Sequence, residues 1–436
     1  MLYHEPSPLE VKVLTRRFGL AGGPSLATYL ATDGFVGFRK ALEMRPEEII
    51  EQVKISNLRG RGGAGFPTGL KWGFVPRTPD KPRYIVVNAD EGEPGTCKDR
   101  VLMENDPHQL LEGMLIAGRA VDAHVGYIYV RGEYRYLIEI LERAIEECRA
   151  AGYLGRNILG SGFDFEAYTH SGAGSYECGE ESALLESLEG KRGVPRIRPP
   201  FPAVAGLYRC PTVLNNVESY CSIPVILREG GAAFAALGAP RDGGTRLFAV
   251  SGHVNRPGVY ELPVGFNLLR LLNEVAGGIR GGKRLKAVIP GGSSCPVLKA
   301  TECDLALDFD TLAKAGSMLG SAAVIVMDED TCMARVAARV SRFYAHESCG
   351  WCVPCREGTA WLAKLLNRFH QGQGARNDLD LAAEVARNML GRTFCPLGDA
   401  AAMPVISMVE KFRDDFEAHL DGRPCPFQKT PGGAGA

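Results

Sequence analysis

The chain has 436 residues, a formal net charge of -1 at pH 7 and 45% hydrophobic residues. That length predicts several domains, each burying its own core, and the near-neutral balance argues against nucleic acid or an anionic membrane surface as the main partner. Thirteen cysteines, mostly scattered, an acidic and proline-broken start at residues 1–6, and no apolar stretch as long as a membrane span predict a reducing, cytoplasmic setting in which thiols serve metal.

Residues 1–58 read as a helical N-terminal segment. Pro46, Glu47 and Glu48 ahead of Ile49, Ile50 and Val53 mark a helix start with proline in its first turn. The glycine-rich stretch 60–72 follows, with Gly60, Gly62 and Gly65 at G-x-G-x-x-G spacing. A dinucleotide fingerprint follows a strand, whereas here a helical segment precedes it and the first strand, 84–87, comes after. Two readings stand: a plain turn, or a cradle whose backbone N–H groups approach a flat or phosphorylated ligand. Phe66, Trp72 and Phe74 flank the stretch and can stack on a ring or fill core. Lys71 reads as an anion partner or as a solvated lysine.

The strand 84–87 runs into Asn88, Asp90, Glu91 and Glu93, beyond a strand's carboxyl end, where open α/β sheets bind ligands. Asp106, Pro107 and Gln109 supply an N-cap, a first-turn proline and a third-position amide, so a helix starts there with Leu110, Leu111, Met114 and Leu115 as its buried stripe. Residues 125–130 read as a strand, 137–148 as a helix with Cys148 in the core, and 163–168 as a strand. This alternation predicts a doubly wound, mostly parallel sheet over 59–240. A second glycine-rich stretch, 171–182, opens a helix at 183–188. Glu180 and Glu181 fit capping acids and cofactor-lining acids equally, Tyr176 can cover a ring face, and Cys178 lacks a metal-spaced neighbour. Phe201 sits in a stiff proline-rich segment. Asn215 and Asn216 can bind a phosphate or ring carbonyl, or make a turn.

Over 241–330, short strands and one helix at 268–275 predict a small α+β domain of the ubiquitin-like (β-grasp) kind. Cys295, Cys303 and Cys332 are too scattered there to read as a metal site. Over 331–422, helices at 334–345, 362–369, 379–390 and 405–416 predict a four-helix bundle. Residues 423–436 are expected to be a disordered tail, Cys425 included. Two bundle loops carry the sharpest signal. Cys349, Cys352 and Cys355, at three-residue intervals, can hold three corners of an iron–sulfur cube, and Cys395 before Pro396 offers the fourth. Zinc more often takes two separated pairs, so a [4Fe–4S] cluster fits better than a zinc-stapled scaffold, which stays open as the other class of reading.

With the motifs at 60–72, 88–96 and 176–182 and the four cysteines in this order, the chain resembles the NADH-binding flavoprotein subunits of respiratory complex I. The resemblance implies a Rossmann-like flavin domain with FMN in the sheet crevice, NADH stacked on it and one [4Fe–4S] cluster close by. It puts Gly60, Arg61, Gly62, Gly63, Lys71, Asn88, Asp90, Glu91, Tyr176, Gly179, Glu180, Glu181, Asn215 and Asn216 around FMN. Phe66, Phe74, Glu93 and Phe201, with Glu181 again, would contact NADH, and Cys349, Cys352, Cys355 and Cys395 would ligate iron. Hydride passes directly, so no general acid or base is expected, and Glu181 is expected to reject the 2′-phosphate of NADPH. Implied partners are a thioredoxin-like [2Fe–2S] subunit and a large iron–sulfur subunit, with quinone as final acceptor and attachment to the inner face of the cell membrane only through the complex. Met403 stands where the family more often has tryptophan, which bears on packing beside the cluster. The diaphorase subunits of soluble NAD-linked hydrogenases and formate dehydrogenases share these motifs. They often carry further iron–sulfur or thioredoxin-like domains, for which the short N-terminal segment and the stretch after Cys395 offer no cysteine array.

Overall fold

The apolar run at 84–87 is unbroken because its strand is covered on both faces. In the computed structural model, which describes residues 7–77, 81–423 and 425–427, β1 (Tyr84–Ala89), β2 (Val125–Val130), β3 (Glu166–Ser171) and β4 (Thr212–Asn216) form a parallel sheet in the order β3-β2-β1-β4. Ile85, Val87 and Ile128 point into a core shared with the helices Pro107–Val121, Arg135–Ala150 and Val217–Glu229. Val86, Tyr129 and Leu214 point the other way, onto the helix Glu181–Leu188. Alternate residues therefore bury on opposite faces, the pattern of a two-sided parallel sheet.

Two strands differ from the sequence expectation. The edge strand β3 begins three residues later than 163, because Phe163 and Phe165 fill the core just ahead of it. The short β4 shows in the sequence only as a pair of amides. The loop 89–106 also holds a helix, Lys98–Asn105, that charge hides from a search for apolar spacing.

A second sheet follows, built from β5 (Thr245–Gly252), β6 (Gly258–Pro263), β7 (Leu285–Ile289), β8 (Leu298–Lys299) and β9 (Ala323–Asp328) in the order β6-β5-β9-β7-β8. Only β5 and β9 run parallel; the other pairs are antiparallel. Arg61, in the glycine-rich loop of the first domain, joins the two sheets. Its fully buried guanidinium donates to Asp242 Oδ1 at 2.6 Å, Gly243 O at 2.6 Å and Thr245 O at 3.1 Å.

The C-terminal region is helical: Met333–Glu347, Val353–His370, Arg376–Met389 and Leu397–Lys411 share a core that includes Leu362, Leu366, Leu379, Val405 and Met408. The last stripe does not continue as one helix to 416; Phe412 leaves helical geometry and Arg413–Glu417 is a separate turn. Cys425 and Phe427 pack on this core, so these two residues of the expected tail are not free. Residues 1–6, read for a targeting signal, and 428–436, read as disordered, lie outside the described residues. Among the described residues no helix is long and apolar enough to cross a membrane.

The N-terminal helices Val36–Glu43 and Pro46–Ile55 are held to the first domain by a buried carboxylate. Glu112 accepts the Tyr29 hydroxyl and the backbone N–H groups of Phe35 and Phe38, the latter two at 2.8 and 2.9 Å. Glu112→Ala strands three buried donors and should cost about 3 kcal/mol or more of stability, while Glu112→Gln, which keeps an acceptor, should cost less. Urea unfolding of the two variants checks the order.

Candidate functional site

In the order β3-β2-β1-β4, the chain leaves β1 toward β2 on one side, while β4 lies on the other. The crevice at the carboxyl ends of β1 and β4 is thus the topological switch point. Asn88 and Asn216 stand opposite each other there, and Asn215 is one residue back. Trp72 Nε1 donates to Asn215 Oδ1 at 3.0 Å, which sets the short helix Thr68–Gly73 against β4. The glycine loop is closed by Gly60 N donating to Phe66 O at 2.9 Å. It lies over the strand end so closely that a Cβ on Gly62 would come within 3.3 Å of Asn216 Cβ. Gly63 has φ of +129°, open only to glycine.

Beneath the loop is a buried charge network that sequence reading missed. Lys98 pairs with Asp99 and Glu218, both at 2.8 Å, and donates to Asn216 Oδ1 at 3.2 Å. Asn216 Nδ2 in turn donates to Asp99 Oδ2 at 2.6 Å. Glu91 caps the helix Lys98–Asn105, accepting from Asp99 N at 2.7 Å and Arg100 N at 3.1 Å. Burial, then the neighbouring Asp99, push its carboxyl up to about 8. Arg246 is also buried, with Nε and Nη1 lacking a partner. The only hints in sequence were the Lys98-Asp99-Arg100 run after the acidic loop and Glu218 just past the paired amides. Asp90 is different again: burial pushes its carboxyl up to about 7, and its buried Oδ2 has no partner.

The second glycine-rich stretch closes the crevice. After β3 the turn Tyr176–Gly179 places Gly179 O to accept Asn88 Nδ2 at 2.8 Å. Glu180 is the N-cap of Glu181–Leu188, accepting from Ser182 N and Ala183 N at 2.9 Å. Glu181 is not a cap: it pairs with Lys71 Nζ at 2.9 Å and Arg198 Nη1 at 3.1 Å. Burial opposes its ionisation, but these two cations outweigh burial and hold its carboxyl below the ordinary value. Phe66 and Phe74, exposed with ring centroids 6.1 Å apart, flank Lys71, and the exposed Phe201 lies under Arg198. An aromatic rim with a charged centre results.

Two residues expected at the ligand have side chains held by other groups of the protein. The Arg61 side chain is used up between the sheets, which leaves only its backbone to the glycine cradle. Glu93 accepts the Tyr176 hydroxyl at 2.7 Å and Ser294 N at 2.8 Å, so it ties the crevice to the second domain. The donor set fits a flat phosphorylated ring: three strand-end amides, a side-chain-free loop over them, an unpartnered Asp90 oxygen and an aromatic rim.

The four cysteines meet on the far side of the same turn. Cys352 caps Val353–His370, Cys355 lies in its first turn, and Cys395 precedes Leu397–Lys411. Cys349 is tied to the first domain by Arg192 Nη2 donating to its carbonyl at 2.9 Å. Ser348 Oγ lies 3.2 Å from Cys355 Sγ. Glu177, the residue after Tyr176, faces Cys395, and burial pushes its carboxyl up to about 7 against that contact, which pulls it down. Tyr176 N donates to Glu347 Oε2 at 3.1 Å, and its ring packs edge-on against Phe343 and Tyr344 in the helix before the cysteine loop. Tetrahedral zinc, about 2.3 Å from each sulfur, draws its thiolates to within about 4 Å of one another. An iron–sulfur cube instead takes three cysteines of one loop and a fourth that precedes a proline, the pattern of Cys349, Cys352, Cys355 and Cys395.

Comparison with known proteins agrees. Residues 53–225 match the Nuo51 FMN-binding domain, 335–419 the NADH-ubiquinone oxidoreductase-F iron-sulfur binding region, and 246–326 the SLBB domain. The chain is 53% identical over 416 residues to the NADH-quinone oxidoreductase-F 2 protein of Rhizobium meliloti, covering 95% of this chain and 99% of that one. It belongs to the NADH-quinone oxidoreductase-F family. A Mycobacterium tuberculosis member of the family is 51% identical, with 95% of each chain covered. The mitochondrial NADH dehydrogenase [ubiquinone] flavoprotein 1 of Dictyostelium discoideum is 52% identical over 85% of this chain and 78% of that one. Among solved structures, a chain of an NAD+-reducing [NiFe]-hydrogenase in the H2-reduced state superposes with a TM-score of 0.82 at 38% identity, over 93% of this chain and 68% of that one. As a member of the NADH-quinone oxidoreductase-F family the chain uses FMN and a [4Fe–4S] cluster.

The raised Asp90 carboxyl makes a pH prediction. Its folded pKa of about 7 lies above the unfolded value, so its contribution to stability is complete at acid pH and is lost as pH rises through about 7. Flavin-free protein should lose up to about 1.4 kcal/mol per pH unit from this group between about pH 4 and its folded value of about 7, above which the slope levels off, and Asp90→Asn should flatten it. Thermal unfolding from about pH 4 to about pH 8 measures it.

Proposed function

We propose that this chain is the electron-input subunit of an NADH:quinone oxidoreductase, taking electrons from NADH at the switch-point crevice and passing them out through the four cysteines. The single observation that carries this is the turn Tyr176–Gly179. Gly179 borders the crevice and Glu177 borders Cys395, two residues away along one chain. When bound, FMN accepts a hydride's two electrons and gives them up singly, and the cluster carries one at a time.

The residues divide the work. Gly60, Gly62 and Gly63, the Arg61 backbone, Asn88, Asp90, Asn215 and Asn216 would hold the flavin, with Tyr176 and Gly179 closing the crevice. Glu91 and Glu180 would act through the helix starts they cap. Phe66, Phe74 and Phe201 would stack on the nicotinamide nucleotide, and Lys71, Glu181 and Arg198 would hold its polar part. Glu93 would keep Tyr176 in place. Cys349, Cys352, Cys355 and Cys395 would ligate iron.

The first domain, 59–240, is read as Rossmann-like, the second, 241–330, as a β-grasp domain, and 331–422 as a four-helix bundle. The exposed Trp351, Val353 and Phe394 beside the cluster loop would meet a thioredoxin-like [2Fe–2S] subunit or a large iron–sulfur subunit, which in turn hold the chain at the inner membrane face. The likeness to the hydrogenase chain supports a second reading, the diaphorase subunit of a soluble complex; co-purification with membrane subunits or with a hydrogenase separates the two.

Cys352→Ala should lose essentially all iron yet keep FMN, and NADH should still bleach the flavin under anaerobic conditions. Iron retained at the wild-type level would remove Cys352 from the ligand set.

An unpaired carboxylate about 4 Å from a 2′-phosphate costs roughly 4 kcal/mol, about a thousandfold, at an effective dielectric near 20. Glu181 is already neutralised by Lys71 and Arg198, so its direct repulsion is smaller. Glu181→Ala also frees Lys71 for a phosphate and leaves Arg198 only its longer, 3.6 Å pairing with Glu180, and the NADPH/NADH ratio of kcat/KM should rise about tenfold, some 1.4 kcal/mol. An unchanged ratio would strip Glu181 of the selectivity role.

A further inference from the structure

A second metal-type cluster lies in the C-terminal region, away from the four iron-type cysteines. Cys332, His419 and Cys425 bring their ligand atoms within 4.8 Å of one another, a grouping no other three such side chains match among the described residues. Cys332 and His419 are buried, and Cys332 Sγ lies 3.5 Å from His419 Nε2. Tetrahedral zinc with Zn–S near 2.3 Å and Zn–N near 2.0–2.1 Å sets sulfur and nitrogen about 3.5 Å apart. His419 Nδ1 is 2.7 Å from the Asp415 carbonyl. A carbonyl only accepts, so Nδ1 carries the proton and Nε2 turns its lone pair toward the sulfurs, the arrangement that metal-ligating histidines use. Cys332 caps Met333–Glu347 and accepts from Arg335 N at 3.4 Å, which fixes its sulfur at the helix start.

We propose that Cys332, His419 and Cys425 bind a zinc ion. Two thiolates and one neutral imidazole are a borderline-soft set suited to zinc, and the two thiolate charges balance the ion's. The fourth position opens onto a cavity of about 390 Å³ that His370 also lines. His370 Nδ1 is buried without a partner but lies outside the group of three, so a water completes the tetrahedron. The ion pins the segment after 422 to the start of Met333–Glu347. That segment also meets the second sheet, where Lys286 Nζ lies 4.1 Å from the Phe427 ring and pairs with Asp415 at 2.6 Å.

The test is metal content of the full-length holoprotein by mass spectrometry, after dialysis, with iron and flavin assayed in parallel. Wild type should hold about one zinc per chain, and Cys425→Ser, near the chain end, and His419→Ala should each lower it about tenfold or more with iron and FMN unchanged. Zinc-edge absorption of wild type should show sulfur and nitrogen neighbours together. The proposal is overturned by wild type with full iron but no zinc after growth in zinc-supplemented medium. It is equally overturned by zinc that persists in Cys425→Ser but leaves with Cys352→Ala, or by a Cys332–Cys425 disulfide in anaerobically alkylated protein.

Discussion

The Asn88 side chain donates to Gly179 O at 2.8 Å, and that hydrogen bond decides how close two chemistries can be. Asn88 is the last polar side chain of β1 before the acidic loop; Gly179 ends a turn whose other face meets Cys395. This bond registers the far end of the second glycine-rich stretch on the sheet, as Gly172 N donating to Val130 O at 2.7 Å registers its start. Tyr176 N on Glu347 and the Tyr176 hydroxyl on Glu93 brace the same turn from the helical region and from the second domain. Both sheets and the helical region therefore converge on four residues, and the distance between crevice and cluster is set by covalent geometry and a few half-buried hydrogen bonds. Such bonds are worth only about a kilocalorie each net, but their loss inside a low-dielectric site leaves unsatisfied groups that cost more.

How much of this was legible depended on whether the signal was local. Strands β1 and β2 stood out because a strand covered on both faces is apolar throughout. Edge strand β3 carries Glu166, Thr169 and His170 and reads as polar, so the neighbouring Phe163 and Phe165 drew the boundary toward themselves. Cys349, Cys352, Cys355 and Cys395 were legible by spacing alone, since three ligands come from one loop. Cys332, His419 and Cys425 were not, since Cys332 is 87 residues from His419 and no local pattern announces the contact.

The acids show the same division. Sequence left Glu180 and Glu181 equivalent, yet one faces its own helix N-terminus and the other faces Lys71 and Arg198. Only the direction of a side chain, set by the backbone just before a helix, separates them. Arg61 is the sharper case. A basic residue inside a glycine loop invites an anion, but its guanidinium found Asp242 and two carbonyls first, because full burial demands a partner for every charge.

That buried guanidinium has an evolutionary corollary. The second sheet supplies none of the amides, aromatics or thiols assigned here to cofactors, but through Asp242 and the carbonyls beside it this region fixes where the glycine loop rests. Drift at the entry to β5 is thus policed by a cradle it does not line, and a lineage cannot trade this domain for another without rebuilding that cradle.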